Sequence, residues 1–473
     1  MRSDLCLVMD QGSHSCRAMV FDRFGNCLSR GQVQVKNQYT PPNRVEQQPQ
    51  AVLISLKRAA LEAISNLKRE DRSNLRTAAL ITQRSSVLCW DADNGQPLTP
   101  VISGQDRRGL HYIDELMPLA SMVRQLTGLY PNAHLPASKL RWCMEHMVFN
   151  TAKHRVRGGP VAGWLIKQLL HEHPNLVDGV TAARTMLYSL KDRDWHPELL
   201  DLFQLPDSLL PKVRPNKFNF GTLKLPGFNL PLNYVSSDEA CALFAFGEPS
   251  QDNLFINLGS GGFMNRVLTE RGLHPQERIL HQLILSGKQP LYSAEATING
   301  AESALEWAFD ICRPETRNID RWAAKCADPP LFMNMVGGVG SPFWQPLDRS
   351  CWINDCDDPR ARMVAVMESI IFLICRNIKA MSSLPPAKQI TIAGGISQLD
   401  SLCQGVADLS GLPVLRYQQS DITALGAAWQ TLPNSVRNIL PETTFNPEPN
   451  PSLAERYQSW LEAFNKHLSS LNG

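Results

Sequence analysis

The chain has 473 residues, 43% hydrophobic and 19% charged, enough to bury a sizeable core in two or three domains of about 150 residues or more. Its 47 basic and 45 acidic residues leave a formal +2, which gives no electrostatic case for nucleic acid as a partner, and the apolar content excludes disorder over most of the length. Twelve scattered cysteines include no C-x-x-C, and the start turns polar too soon for a signal peptide; with no run of eighteen apolar residues, a reducing, cytoplasmic location away from membranes is expected.

In chain order, Leu5 to Met9 reads as a strand that Asp10 ends, followed by the turn Gln11-Gly12-Ser13 and a second strand from Arg17 to Phe21. Phe24-Gly25-Asn26 is a turn before a third strand, Leu28 to Val35. Residues 49 to 67 place Val52, Leu53, Leu56, Ala59, Ala60 and Ile64 at helical spacing, and Thr77 to Ile81 reads as a strand ending at Thr82-Gln83-Arg84. Proline-rich residues 205 to 233 read as a connection, and Asp238 to Phe246 as a short helix capped by Ser236 or Ser237. A boundary is expected near Gly247 to Asp252, giving domains 1–247 and 248–473. Strands at Leu254 to Asn257 and Phe263 to Leu268 then flank Gly259-Ser260-Gly261-Gly262, a weak repeat of the opening segment. Ile390 to Ala393 is a strand running into Gly394-Gly395 and a helix over 399–409 closed by Gly411. Residues 441 to 451 separate a last helix at 452–470.

Three strands thus end in glycine turns, two of them with a serine beside the glycine. Without a Cβ, such turns let backbone N–H groups approach phosphate oxygens, and a serine adds a hydroxyl donor. Any one of them is also an ordinary turn, and no P-loop or protein-kinase glycine loop occurs. Asp10 is either a turn-forming aspartate or a carboxylate placed to hold Mg2+ through water. Asp238 is either a first-turn acid favoured by the helix dipole or a reactive group.

Taken together these segments resemble the FGGY carbohydrate kinases of the actin-like ATPase superfamily, over nearly the whole chain. Asp10-Gln11-Gly12-Ser13-His14-Ser15-Cys16-Arg17 resembles the first phosphate motif, D-Q-G-T-x-S-x-R. Thr82-Gln83-Arg84-Ser85 through Trp90-Asp91, then Gln105-Asp106-Arg107-Arg108, Ala183-Arg184-Thr185-Met186-Leu187 and Ser237-Asp238-Glu239-Ala240, follow the family order. Gly259-Ser260-Gly261-Gly262-Phe263 is similar to the second phosphate motif; Gly394-Gly395 and Thr423-Ala424-Leu425-Gly426 are similar to the adenosine motif and the helix after it.

The resemblance implies an α/β fold of two ribonuclease-H-like lobes around an interlobe cleft that takes ATP. It implies Asp238 as general base and Asp10 as the Mg2+ site. Gly12, Ser13, His14, Arg17, Gly259, Ser260, Gly261, Gly394 and Gly395 are implied at ATP; Arg84, Ser85, Gly104, His134, Asp238, Glu239 and Phe263 at a sugar or polyol. A second copy of the chain is the partner that the family implies. Ser85 and Gly104 are smaller than the glutamate and tryptophan of the glycerol-kinase branch, so the acceptor is expected to be larger than glycerol. His14 and Glu302 also depart from the pattern, Glu302 replacing a glycine near the nucleotide. Two other readings stand beside the kinase: an ATPase whose lobe motion drives another process, and a catalytically weak or inactive regulator that binds ATP or sugar.

Overall fold

The computed structural model describes residues 4–147, 149, 155–268, 278–345, 349–417, 421–436 and 439–471. By contact density it separates into two units: Met1–Glu248 with His281–Tyr292 and Asp421–Ile439, and Pro249–Leu280 with Ser293–Ser420 and Leu440–Gly473. Among the described residues no helix is long and apolar enough to cross a membrane.

The first unit is built on β1 (Leu5–Gln11), β2 (Ser15–Phe21), β3 (Cys27–Gln34), β4 (Leu75–Thr82) and β5 (Leu232–Ser237), arranged β5-β4-β1-β2-β3. Every residue of β1 is buried, as befits the centre of a sheet covered on both faces. Edge strand β3 instead alternates between exposed and sheltered residues. β1 runs antiparallel to β2 and parallel to β4, and β4 parallel to β5. The helix Pro49–Asn66 buries Val52, Leu56, Ala59, Ala60 and Ala63, the face its periodicity predicts, and packs against β2 and β3.

β5 is a strand of this sheet that sequence reasoning missed. It starts inside the proline-rich stretch read as connection, which also holds the short strand Lys212–Arg214. The helix after it is shorter than expected, Asp238–Ala242. Ser237 stands at its N-cap position but makes no capping bond through its side chain: as the last residue of β5, extended and opposite Thr82, it is committed to the sheet. The helix Ile422–Thr431, late in the sequence, also belongs to this unit and packs on β1, β4 and the Asp238–Ala242 helix.

The second unit repeats the plan. In a seven-stranded sheet, β6 (Asn253–Leu258), β7 (Gly262–Leu268), β8 (Leu291–Ile298), β9 (Gln389–Ala393) and β10 (Val414–Arg416) lie in the order β8-β7-β6-β9-β10, with Leu280–Leu285 outside β8 and Thr443–Phe445 outside β10. β6 is antiparallel to β7 and parallel to β9, and β9 parallel to β10. Apart from Leu280–Leu285 and Thr443–Phe445 at its edges, the second sheet therefore reads third-second-first-fourth-fifth like the first, the ribonuclease-H arrangement, so the weak repeat in the sequence is a repeat of topology. The 22-residue helix Pro359–Ala380 is buried along most of its length in this unit.

Candidate active site

Three parallel strands of the first unit end side by side, and ligands of open α/β sheets collect at such carboxyl ends. Asp10 sits opposite Ile81, and Ser237, just before Asp238, opposite Thr82. Asp10 and Asp238 thus flank Arg84, two strand spacings or roughly 10 Å apart in the sheet direction. Arg84 Nε lies 3.9 Å from Asp238 Oδ1, and its Nη1 donates to Gln282 Oε1 at 3.3 Å. The Asp238 side chain is 38% exposed, accessible to a ligand.

Asp10 lies one residue inside β1 rather than at its end, and that register matters. Its cross-strand partner is Arg17, whose Nη2 donates to Asp10 Oδ2 at 2.5 Å. Burial pushes the Asp10 carboxyl up from its ordinary value; Arg17 pulls it down, while Asp238 and Asp421 push it up again. Arg17 Nη1 is also 3.9 Å from Asp421 Oδ1, and Arg30 Nη2 is 3.1 Å from its Oδ2. The described residues contain no group of three or more His, Cys, Asp or Glu that could hold a metal. A single carboxylate completed by water and phosphate oxygens suits Mg2+, and the all-oxygen chemistry of Asp10 fits that ion.

The turn after β1 is held from several sides. Gly12 N donates to Ser15 O at 3.0 Å, Gln47 Nε2 to Ser13 O at 2.7 Å, and Val35 N to His14 O at 2.8 Å. Ser13 Oγ and His14 Nδ1 are 3.0 Å apart, and Gln83 Nε2 donates to Gln47 Oε1 at 2.9 Å.

A second cluster surrounds Gly104. His134 Nδ1–H donates to Gly104 O at 2.8 Å, leaving Nε2 as an acceptor. Burial, then the charges of Arg107, Lys139 and Arg184, lower the His134 pKa to about 4, so the ring is neutral at pH 7. Lys139, fully buried, donates to Ser85 O at 2.9 Å and Ser103 O at 2.7 Å and clamps the two loops together. The expectation of space at Gly104 is corrected here. A Cβ at this position would sit 2.9 Å from Arg84 O, so the backbone has closed in where a side chain is missing. Ser85, in the left-handed region at φ 64°, is the smaller residue that remains to shape a pocket. Glu239 follows Asp238 with its amide on Asp238 Oδ1 at 2.9 Å.

The second unit carries its own turns. Gly259 N donates to Gly261 O at 2.9 Å, and the amides of Ala301 and Ser303 donate to Ser260 O at 3.2 and 3.1 Å. Gly394 has φ 102°, and a Cβ there would lie 2.2 Å from Leu258 O, so only glycine fits the end of β9 against the end of β6. Glu302 opens the helix Glu302–Cys312, with its carboxylate 3.3 Å from where a Cβ of Gly395 would be. Phe263 lies in β7 opposite Asn257.

Asp10, Arg17, Arg84 and Asp238 are therefore gathered in the first unit, as are Gly104 and His134; Gly259–Gly261, Gly394, Gly395 and Glu302 are gathered in the second. Asp421, Gln282 and Lys139 were not singled out as site residues. Asp421 precedes a recognisable helix and offered a signal; Gln282 and Lys139 offered none, since their roles exist only through contacts distant in sequence.

Family models match most of the chain: the N-terminal domain of the FGGY family of carbohydrate kinases over residues 5–233 and the C-terminal domain over 254–432. A glycerol kinase of Thermococcus kodakarensis is 29% identical over 486 residues, covering 98% of this chain and 97% of its own. The crystal structure of Plasmodium falciparum glycerol kinase with ADP superposes with a TM-score of 0.87 at 19% identity, covering 99% of this chain and 98% of that one. The gluconate kinase from Lactobacillus acidophilus gives 0.87 at 16% identity over 99% and 98%. At these identities the structural likeness shows the fold, that of the two-lobed actin-like ATPases.

Proposed function

We propose that this chain, which belongs to the FGGY family of carbohydrate kinases and is thereby a phosphotransferase with an alcohol group as acceptor, phosphorylates a sugar or polyol larger than glycerol from ATP, with Asp238 as general base and Mg2+ at Asp10. The observation that carries the reading is the arrangement of Asp10, Arg84 and Asp238 on neighbouring strand ends of one sheet.

Asp238 takes the proton of the attacking hydroxyl as its oxygen bonds to the γ-phosphorus and the bridging oxygen leaves with ADP. Arg84, with its Nε 3.9 Å from Asp238 Oδ1, orients the carboxylate. In the first unit the amides of Ser13 and His14, the Ser13 hydroxyl and Arg17 hold phosphate oxygens, while the Gly12 amide closes the turn on Ser15 O; in the second unit Ser260 and Gly261 are the phosphate residues, with the Gly259 amide on Gly261 O, and Gly394 and Gly395 are the adenosine residues. Mg2+, when bound, supplies neutralisation of phosphate charge, and Asp10 is the residue that holds it. Ser85 and His134 Nε2 face the acceptor. The reading of a binding regulator without turnover draws only on the Glu302 carboxylate beside Gly395.

A coupled ADP-formation assay over polyols, ketoses and aldoses, with Asp238→Asn as control, tests this. Turnover of an acceptor larger than glycerol, reduced at least about 100-fold in Asp238→Asn, is expected. Glycerol as the best acceptor by kcat/KM, or full activity of Asp238→Asn, would overturn it.

A further inference from the structure

We infer that the acceptor carries an anionic end, a carboxylate on a polyhydroxylated chain, and that Arg107 binds it; this rests on the kinase reading above.

Arg107 leaves the same turn as Gly104. Its main chain is anchored, the amide donating to Asn43 O at 2.9 Å and the carbonyl accepting from Asn43 Nδ2 at 3.3 Å. Its side chain is half-buried and makes no hydrogen bond, ion pair or ring contact among the described residues. The neighbouring carboxylates are occupied elsewhere. Asp106 accepts from Arg108 Nε at 2.9 Å, from Arg108 Nη2 at 2.7 Å and from Val45 N at 2.7 Å, and Glu46 accepts from Arg108 Nη2 at 2.6 Å. Burial lowers the Arg107 pKa with no anion to offset it.

The other cations nearby have protein partners. Lys139 is held by the Ser85 and Ser103 carbonyls, and Arg84 and Arg184 lean on Gln282 Oε1 at 3.3 and 3.5 Å. Three of these positive groups, Arg107, Lys139 and Arg184, act on the neutral His134 ring that caps Gly104. Asp238, beside Arg84 and 38% exposed, is an acid of this region accessible for chemistry. A half-buried guanidinium without a counter-ion carries part of the cost of desolvation, and its planar fork of donors matches a carboxylate. A neutral polyol would leave that charge uncompensated, whereas an aldonate fills it with its carboxylate and presents hydroxyls to Asp238.

The test compares aldonates with alditols of matched chain length on the full chain, using wild type, Arg107→Met and Arg107→Lys. Thermal unfolding reads binding, and coupled ADP formation reads turnover. Aldonates are expected to raise the Tm of wild type, of Arg107→Lys more weakly, and of Arg107→Met not at all. kcat/KM for the aldonate should fall about 10- to 100-fold in Arg107→Met with the alditol value unchanged. Without ligand the methionine variant should melt at or above wild type, because an uncompensated charge is gone; a structural arginine would give the opposite. Alditols that protect as well as aldonates, an equal fall for both classes, or no protection by any aldonate would each overturn the assignment. Aldonate protection lost in Arg107→Met with no ADP formed would support this site while counting against the kinase reading; turnover confined to neutral polyols would do the reverse.

Discussion

Replacing Arg17 by methionine isolates the charge on Asp10. Asp10 is 2% exposed, and the register of β1 on β2 puts the Arg17 guanidinium 2.5 Å from its carboxylate. Methionine keeps much of the stem and removes the group that opposes burial and the repulsion of Asp238 and Asp421. Breaking a buried ion pair costs about 3–5 kcal/mol. The Arg17 side chain is 38% exposed, so screening by water brings the expectation to about 2–3 kcal/mol. The loss depends on pH. The folded Asp10 carboxyl is already raised above its unfolded value, so its contribution falls as pH rises through the folded pKa. Arg17→Met raises it further and extends that window upward. Urea unfolding of wild type, Arg17→Met, Asp10→Asn and the double variant at a series of pH values measures this. Arg17→Met should be weakest above neutrality and approach wild type as the pH falls toward about 4, and Asp10→Asn should restore most of the loss in the Arg17→Met background. An equal deficit at every pH, or a double variant that simply adds the two single effects, would refute the ion-pair reasoning.

His134 should govern part of the acid limb of stability. Unfolded, an imidazole takes its proton near pH 6.5; folded, His134 takes it near pH 4, so between these values only the unfolded chain binds that proton and stability drops as pH falls, by about 3 kcal/mol. His134→Asn should flatten the Tm profile across this window, and an unchanged slope would contradict the buried neutral ring. Gly104→Trp, which restores the aromatic residue of the glycerol-kinase branch, should destabilise by roughly 1–3 kcal/mol because its Cβ meets Arg84 O. Chemical denaturation together with glycerol kinetics checks this: a stable variant that gains glycerol turnover would show that the loop has room after all.

The glycine turns and the strands leading into them were legible because both are local. Apolar runs stop at residues that free the backbone, and β1, β2, β6, β7 and β9 lie where the pattern puts them. β5 was hidden because its apolar residues start at the end of a proline-rich stretch, and the pairing that makes it a strand is with β4, some 150 residues earlier. Asp10 and Asp238 could be named from order along the chain, but their shared sheet edge follows from that pairing alone.

Sequence by itself determined the chemistry on offer: Asp10 at the first glycine turn and Asp238 opening a short helix, serine and glycine where phosphate is expected, and a chain read in two related halves. Tertiary structure decided which groups are charged, paired or crowded. The Arg17–Asp10 bond comes from strand register, and the Lys139 clamp on Ser85 and Ser103 from packing. The closure at Gly104 comes from a carbonyl twenty residues upstream, and the solitude of Arg107 from Arg108 having taken both nearby acids. Such facts depend on distances between residues remote in sequence, and Coulomb energy and steric contact act through space rather than along the chain.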